Sequence, residues 1–493
     1  MTGDSGFIDR FLAFAEQQPN AAAIREFEGK RQFTYGGARR EIEVLRGQLT
    51  ARNVGEGDTV LLMLPMGAEF IFSFYAIASL KAIAVIVSPH LTSWELAPII
   101  RSAKPKGVIS DRILISAHTQ ELGDLDPEAF ILSVDGINGA CPLTVINAED
   151  DLVPLLPLQP LGHDNPAVSC HYTYKGLATP LGVLHRYHDY THAIVGAADG
   201  LDLQPGEIFL DWLPIYAVYS LTLSVLMPLA NGCEILLVEK VRSNFLQLLG
   251  DTQARLVPMI PPMFPLLLRQ AENQPIPPLN PRLLLVSGGA YLDADMAKRV
   301  HRTLGVEIMQ GYGTTETLPI IANKPGSNRP GSIGRSLIAA NKVAILDPHG
   351  QELPPGEQFV GEIAVLGPTV SEGFFKNPQD SAHFFRSGWF HTGDIGWRDE
   401  DGYFHFVCRR IAITKVAAQM VDLIEVEQVL ATHPSILQAR ALVRNDDELV
   451  ASVMAHNAPE IDARALRDYC RQYLSPHKVP KHFNIYPSEG SER

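Results

Sequence analysis

Short apolar runs alternate with helix-like stretches through the first two thirds of the chain, and this alternation restricts the fold more than any other property. Residues 59–64 form such a run, 68–81 an amphipathic stretch, and 84–87 another run; the pattern recurs at 107–109, 130–134, 208–210 and 283–286. Strands that read as continuous apolar segments are those covered on both faces by helices. The reading is therefore an α/β architecture with parallel-rich sheets. From Lys342 the texture changes. Short strands at 343–345, 362–365 and 403–406 are separated by Pro354-Pro355-Gly356 and Asp399-Glu400-Asp401-Gly402. These turn signals predict a small β-barrel-like subdomain over about 335–409. Helical patterns at 423–433 and 463–474 with a strand at 450–454 predict a small α+β domain after it. A chain of 493 residues is too long for one compact core and suggests two or three domains.

Charge and cysteine usage exclude several classes. The net charge of −14 argues against a nucleic-acid or anionic-membrane partner, which calls for a basic face. Cys141, Cys170, Cys233, Cys408 and Cys470 show no CxxC or metal-ligand spacing, the usage expected of reduced cytoplasmic thiols. The start, Met1-Thr2-Gly3-Asp4-Ser5-Gly6, has no apolar run, so no signal peptide is expected. The longest apolar stretches, 76–89 and 221–230, are interrupted or ended by Lys81, Ser88 and Asn231. They are short for a bilayer, and no membrane insertion is expected.

Three strings carry chemistry. Ser287-Gly288-Gly289-Ala290-Tyr291 follows a strand, where absent side chains let a flat ring approach the backbone. Gly311-Tyr312-Gly313-Thr314-Thr315-Glu316 places two hydroxyls beside a carboxylate, and Gly388-Trp389-Phe390-His391-Thr392-Gly393-Asp394 follows downstream. In this order and spacing they resemble the adenylate-forming superfamily of acyl-CoA synthetases, peptide-synthetase adenylation domains and luciferases. The likeness covers almost the whole chain. It extends to Phe33-Thr34-Tyr35, Gly55-Glu56-Gly57-Asp58, Leu64-Pro65-Met66-Gly67 and Gly361-Glu362-Ile363.

The resemblance implies a large N-terminal domain over 1–409, a mobile C-terminal lid over 410–493 and a reaction in which a carboxylate attacks the α-phosphate of ATP. The products would be an acyl-AMP and pyrophosphate, with the acyl group then passed to a thiol: CoA, or the phosphopantetheine of an acyl carrier protein. It also implies roles. Glu316 would hold Mg²⁺, Thr314 and Thr315 would bond phosphate, and Tyr312 would stack on adenine. Gly288, Gly289, Ala290, Gly311 and Gly313 would form the adenine wall. Asp394 and Arg409 would hold the ribose, and Lys415 would act from the hinge. Thr173, Tyr174, Lys175, Gly176 and Thr179 would form the phosphate loop. Tyr216, Ala217 and Tyr219 would line the acyl pocket, where Ala217 replaces a common histidine; the alternative for both tyrosines is a core aromatic, the reading slightly preferred for Tyr219.

The chain also departs from the pattern. Where the phosphate loop usually carries small residues and a lysine, this sequence has Tyr174, Lys175, Ala178 and Leu181. Nests of N–H groups favour glycine, so a stiffer loop is expected. Lys175 either restores the lost charge from a new position or is a solvated lysine. The hinge reads Cys408-Arg409-Arg410-Ile411-Ala412-Ile413-Thr414-Lys415, Ala418 stands where CoA ligases have a tunnel glycine, and Ser491 stands at the C-terminal catalytic lysine. Losing one transition-state electrostatic group costs ~10²–10³ in rate. Two such losses subtract ~10⁴–10⁵ from accelerations of ~10⁶–10¹⁷. Two expectations therefore stand: a divergent ligase acting on an aryl or acyl acid, and a nucleotide-binding pseudoenzyme or regulatory subunit.

Overall fold

The alternating runs become two large sheets with their parallel strands aligned in register. The computed structural model describes residues 5–28, 31–135, 146–147, 155–174, 180–239, 244–409, 413–416, 419–444, 448–455 and 461–487. The first sheet has nine strands in the order Arg335–Ser336, Leu318–Ala322, Ile308–Thr314, Leu284–Ser287, Leu256–Met259, Ile208–Asp211, Glu234–Leu237, Ala22–Glu26 and Gln32–Thr34. Its middle strands pair parallel, from Ala22–Glu26 across to Ile308–Thr314. The second has seven: Ile146–Asn147, Phe130–Ser133, Gly107–Ser110, Thr59–Met63, Ile83–Ile86, Ala167–Thr173 and Leu181–Arg186. Only its last pair is antiparallel.

Every residue of the helix Ala68–Ser79 except Glu69 is buried. A helix apolar on all sides belongs inside a core. Phe74 stacks there on Phe7 of Phe7–Gln17, Tyr75 meets Phe7 edge-on, and Tyr190 of Tyr187–Ala198 meets both phenylalanines edge-on. The apolar run at 221–230 is helical: a π-helical turn, Leu221–Leu226, joins Val218–Ser220 to Met227–Ala230.

The expected β subdomain is a five-stranded antiparallel sheet organised on Trp389–Arg398, which pairs with Gly361–Leu366, Phe385–Arg386 and Phe404–Arg409. Beyond it, Ile413–Val416 and Gln419–Asp422 form a two-stranded ribbon. The helices Leu423–Ala431 and Ala463–Tyr473 then pack with a sheet of Ile436–Arg444, Glu448–Ala455 and His482–Pro487. Among the described residues no helix is long and apolar enough to cross a membrane.

Candidate active site

Ligands of open α/β sheets bind beyond the carboxyl ends of the strands, and here both large sheets aim those ends at one cavity. Trp212, Ile260 and Gly288 follow strands of the first sheet; Ser88 follows a strand of the second, and Thr173 ends another. Together with the π-turn helix they enclose about 470 Å³. Its lining combines an apolar set, Tyr216, Ala217, Leu223, Met227 and Met263, with a polar set, Thr173, Thr314, Thr315, Glu316, Arg409 and His477.

Asp394 holds two of the lining residues, Arg409 and Tyr312. It lies on Trp389–Arg398 directly opposite Arg409 on the neighbouring strand, so the ion pair is also a cross-strand pair. Arg409 donates from Nε to Oδ1 at 2.5 Å and from Nη2 to Oδ2 at 2.9 Å. The Tyr312 hydroxyl donates to Oδ2 at 2.8 Å. Asp394 is fully buried, and a buried carboxylate is stable only when paired and hydrogen-bonded in this way. Burial and the Asp394 charge together push the Tyr312 hydroxyl well above its ordinary pKa, so it remains a donor.

Glu316 is held by a tight reversal. The strand Ile308–Thr314 turns back into Leu318–Ala322, with Thr314 N–H donating to Thr317 Oγ1 at 3.0 Å. A Cβ on Gly313 would overlap the Leu318 carbonyl, so only glycine fits there. Leu318 itself adopts φ +59°, a left-handed conformation that costs roughly 1–3 kcal/mol for a non-glycine residue. His185 Nε2 lies 2.7 Å from the Thr315 carbonyl, and Ser371 N–H donates to the Glu316 carbonyl at 2.8 Å. The reversal is thus clamped from two sides.

The profile of the AMP-binding enzyme family matches residues 11–375, and that of the AMP-binding enzyme C-terminal domain matches 425–489. The chain belongs to the AMP-binding enzyme family. Curated relatives include a probable CoA ligase of Humulus lupulus, 28% identical over 88% of this chain and 84% of that protein. A 2-succinylbenzoate–CoA ligase of Bacillus licheniformis is 26% identical over 96% and 94%. Among solved structures, the amide bond synthetase McbA of Marinactinospora thermotolerans superposes with TM-score 0.86 at 24% identity, covering 97% of this chain and 95% of that one.

In this AMP-binding enzyme the residues expected at the nucleotide separate into two groups. Thr173, Gly288, Gly289, Gly311, Tyr312, Gly313, Thr314, Thr315, Glu316 and Arg409 line the cavity, and Asp394 touches it through Arg409 and Tyr312. Ala290 does not line it. The aromatic ring lying against Gly288 is that of Tyr219: a Cβ there would come within 2.6 Å of it. Tyr219 also donates to the Val286 carbonyl at 3.0 Å, so it is both pocket wall and core aromatic. Lys175, Gly176, Ala178, Thr179, Arg410, Ala418 and Ser491 lie outside the described residues. Lys415 stands in Ile413–Val416, its backbone opposite Met420.

Two loop substitutions have a packing reason. Leu181 is buried in an apolar cluster with Phe374, Phe384 and Phe390. Tyr174 is also buried, but away from the cavity lining, beneath Lys478 of the C-terminal unit. Lys478 Nζ lies 2.5 Å from Glu95 and 2.9 Å from Glu425, and Ser475 Oγ donates to Glu95 at 2.6 Å. Glu95 also caps the helix Ser93–Ala103 through a Thr92–Glu95 capping box. Burial pushes the Glu95 pKa up, but Lys478, Ser475 and the Thr92 backbone outweigh it and hold it below the ordinary value. For Glu425, burial wins and the pKa is raised. Neither Lys478 nor His477 is marked by a motif, because the burial of Lys478 and the place of His477 in the lining depend on residues distant in sequence.

Among the described residues no cluster of three or more His, Cys, Asp or Glu side chains is arranged to hold a metal by itself. The buried Glu316 carboxylate in the cavity lining nevertheless suits Mg²⁺, which commonly binds one or two carboxylates together with substrate phosphates.

Proposed function

We propose that this AMP-binding enzyme is a carboxylic-acid-activating ligase that condenses an apolar aryl or acyl acid with ATP and passes the acyl group to a thiol. The observation that supports this reading most is the continuity of three environments in one cavity. Asp394, Arg409 and Tyr312 suit a ribose and its base. Thr173, Thr315 and Glu316 suit phosphate and Mg²⁺, and the compartment around Tyr216, Ala217 and Met263 suits an apolar acid body. Residues 1–409 act as the substrate-binding domain and 410–493 as the lid. Asp394 accepts from ribose hydroxyls, and the Thr314–Glu316 reversal orients the α-phosphate towards the acid carboxylate. Mg²⁺ supplies charge neutralisation at the phosphates, with Glu316 its protein ligand. The acceptor is CoA or a carrier-bound phosphopantetheine.

Leu181 favours a second reading. With an apolar side chain buried at the loop position where relatives of this type carry a cation, the cavity would bind nucleotide without turning it over. ATP–pyrophosphate exchange over a panel of aryl and fatty acids, with AMP binding beside it, decides between them. Exchange with any acid is the expected result; no exchange with intact AMP binding makes the protein a nucleotide-binding pseudoenzyme.

A further inference from the structure

His185 is fully buried and is not part of the cavity lining, yet it bonds the backbone of a residue that is. It lies on the strand Leu181–Arg186, opposite Ser169 of the antiparallel strand Ala167–Thr173. Aromatic packing holds its ring, with centroids 5.6 Å from Tyr190 and 6.2 Å from His171. Tyr190 is fixed in turn, its hydroxyl 2.9 Å from Ser169 Oγ and 3.0 Å from His171 Nε2. The imidazole is therefore presented to the Thr314–Glu316 reversal from a rigid buried support.

A carbonyl oxygen only accepts, so the 2.7 Å contact between His185 Nε2 and the Thr315 carbonyl fixes the tautomer: Nε2 carries a proton and donates it. Nδ1 lies 3.7 Å from Asp189 Oδ2, which accepts from the Arg186 N–H at 2.8 Å. The peptide unit is planar and trans. The direction of the Thr315 carbonyl therefore sets that of the Glu316 N–H, which points the opposite way, away from His185. Leu318, close by in the same reversal, keeps a left-handed conformation, and such strain persists only where the surroundings over-determine the backbone. We infer that His185 is a positioning residue: through the Thr315 carbonyl it orients the Thr315–Glu316 peptide against the phosphate of a nucleotide bound in the cavity. The inference rests on the proposed reading of the cavity as a nucleotide site.

Calorimetry with adenosine, AMP and Mg·ATP on the full chain tests it. His185→Leu fills the buried space without a donor and is expected to weaken AMP and ATP about tenfold. Adenosine, which has no phosphate, is expected to bind within about twofold of wild type. His185→Gln places an amide nitrogen near the position of Nε2 and is expected to regain most of the AMP affinity. A merely structural role would lower adenosine and AMP affinity together, and equal losses would overturn the assignment. So would unchanged AMP affinity in His185→Leu, or a glutamine variant as weak as the leucine one. Where the leucine variant does not fold, His185→Asn, whose amide is too short to reach Thr315, is read in its place with the same outcomes. Wild-type protein that binds neither adenosine nor AMP would overturn the nucleotide reading itself.

Discussion

Tyr174 and Lys478 meet face to ammonium, with Nζ 4.4 Å from the ring centroid, and this contact joins the residue after the strand Ala167–Thr173 to the C-terminal unit. A bulky aromatic at that position reads as damage when only the loop is considered. In the fold it is part of the surface on which the C-terminal turn rests. The Tyr473 carbonyl, which accepts from Thr92 Oγ1 at 2.7 Å, and the Trp94–Tyr473 ring pair extend the same seam.

The two carboxylates on Lys478 are not equivalent. Glu95 is held ionised by Lys478, Ser475 and the Thr92 backbone against its burial, while burial raises Glu425 towards its neutral form. Glu95→Gln is expected to cost about 3 kcal/mol by leaving a buried charge poorly compensated. Glu425→Gln is expected to cost under about 1 kcal/mol. Because the Glu95 pKa is lowered in the fold, its contribution is complete above the ordinary carboxylate value and is lost as pH falls through the lowered one. Denaturant melts of both variants check this; equal losses would show that the carboxylates share the charge.

Asp394→Asn keeps the shape of the site but removes the charge that holds Arg409 and receives Tyr312. AMP affinity is expected to fall about tenfold or more, on the scale of one charge-assisted hydrogen bond. Calorimetric titration with AMP reads the effect directly, and unchanged affinity would remove the ribose assignment.

Asp211 is fully buried behind the apolar wall, where it accepts from Ser220 Oγ at 2.5 Å and Leu213 N–H at 3.0 Å. Burial pushes its pKa up to about 6, despite those hydrogen bonds. A raised carboxylate contributes stability below its ordinary value and loses that contribution as pH rises through the raised one. Relative to Asp211→Asn, wild-type protein should therefore lose on the order of 3 kcal/mol between pH ~4 and ~7. Denaturation midpoints of the two proteins across that range test it; a constant difference would show that Asp211 titrates normally.

The Tyr75 hydroxyl is buried and has no hydrogen-bond partner among the described residues. Its ring packs on Phe7, Phe11 and Phe74. Tyr75→Phe keeps those contacts and removes an unsatisfied group, so it should be neutral or stabilise by up to about 1 kcal/mol. Thermal melting that drops by several degrees would reveal a partner for the hydroxyl.

Sequence periodicity located the sheets because apolar strands and covering helices are set by local pattern. The run at 283–286 is the strand Leu284–Ser287, and 107–109 is Gly107–Ser110. The motif strings likewise brought Tyr312, Glu316, Asp394 and Arg409 to one cavity. Orientation was not legible. Nothing near Tyr174 in sequence says that it leaves the cavity for Lys478, or that Leu181 completes a cluster of three phenylalanines. Both outcomes are decided by partners supplied from elsewhere in the chain, as is the arrival of His477. The apolar run at 221–230 reads as a buried strand or a buried helix, and in the fold it is helical.

The π-helical turn at Leu221–Leu226 carries a consequence for how this pocket changes over generations. Such a turn holds one residue more than an α-turn, and each helical residue rotates its successors by about 100°. Deleting a single codon within it would turn Leu223 and Met227 relative to Val218 and present a different set of side chains to the cavity. Specificity here is open to change by a short insertion or deletion as readily as by substitution.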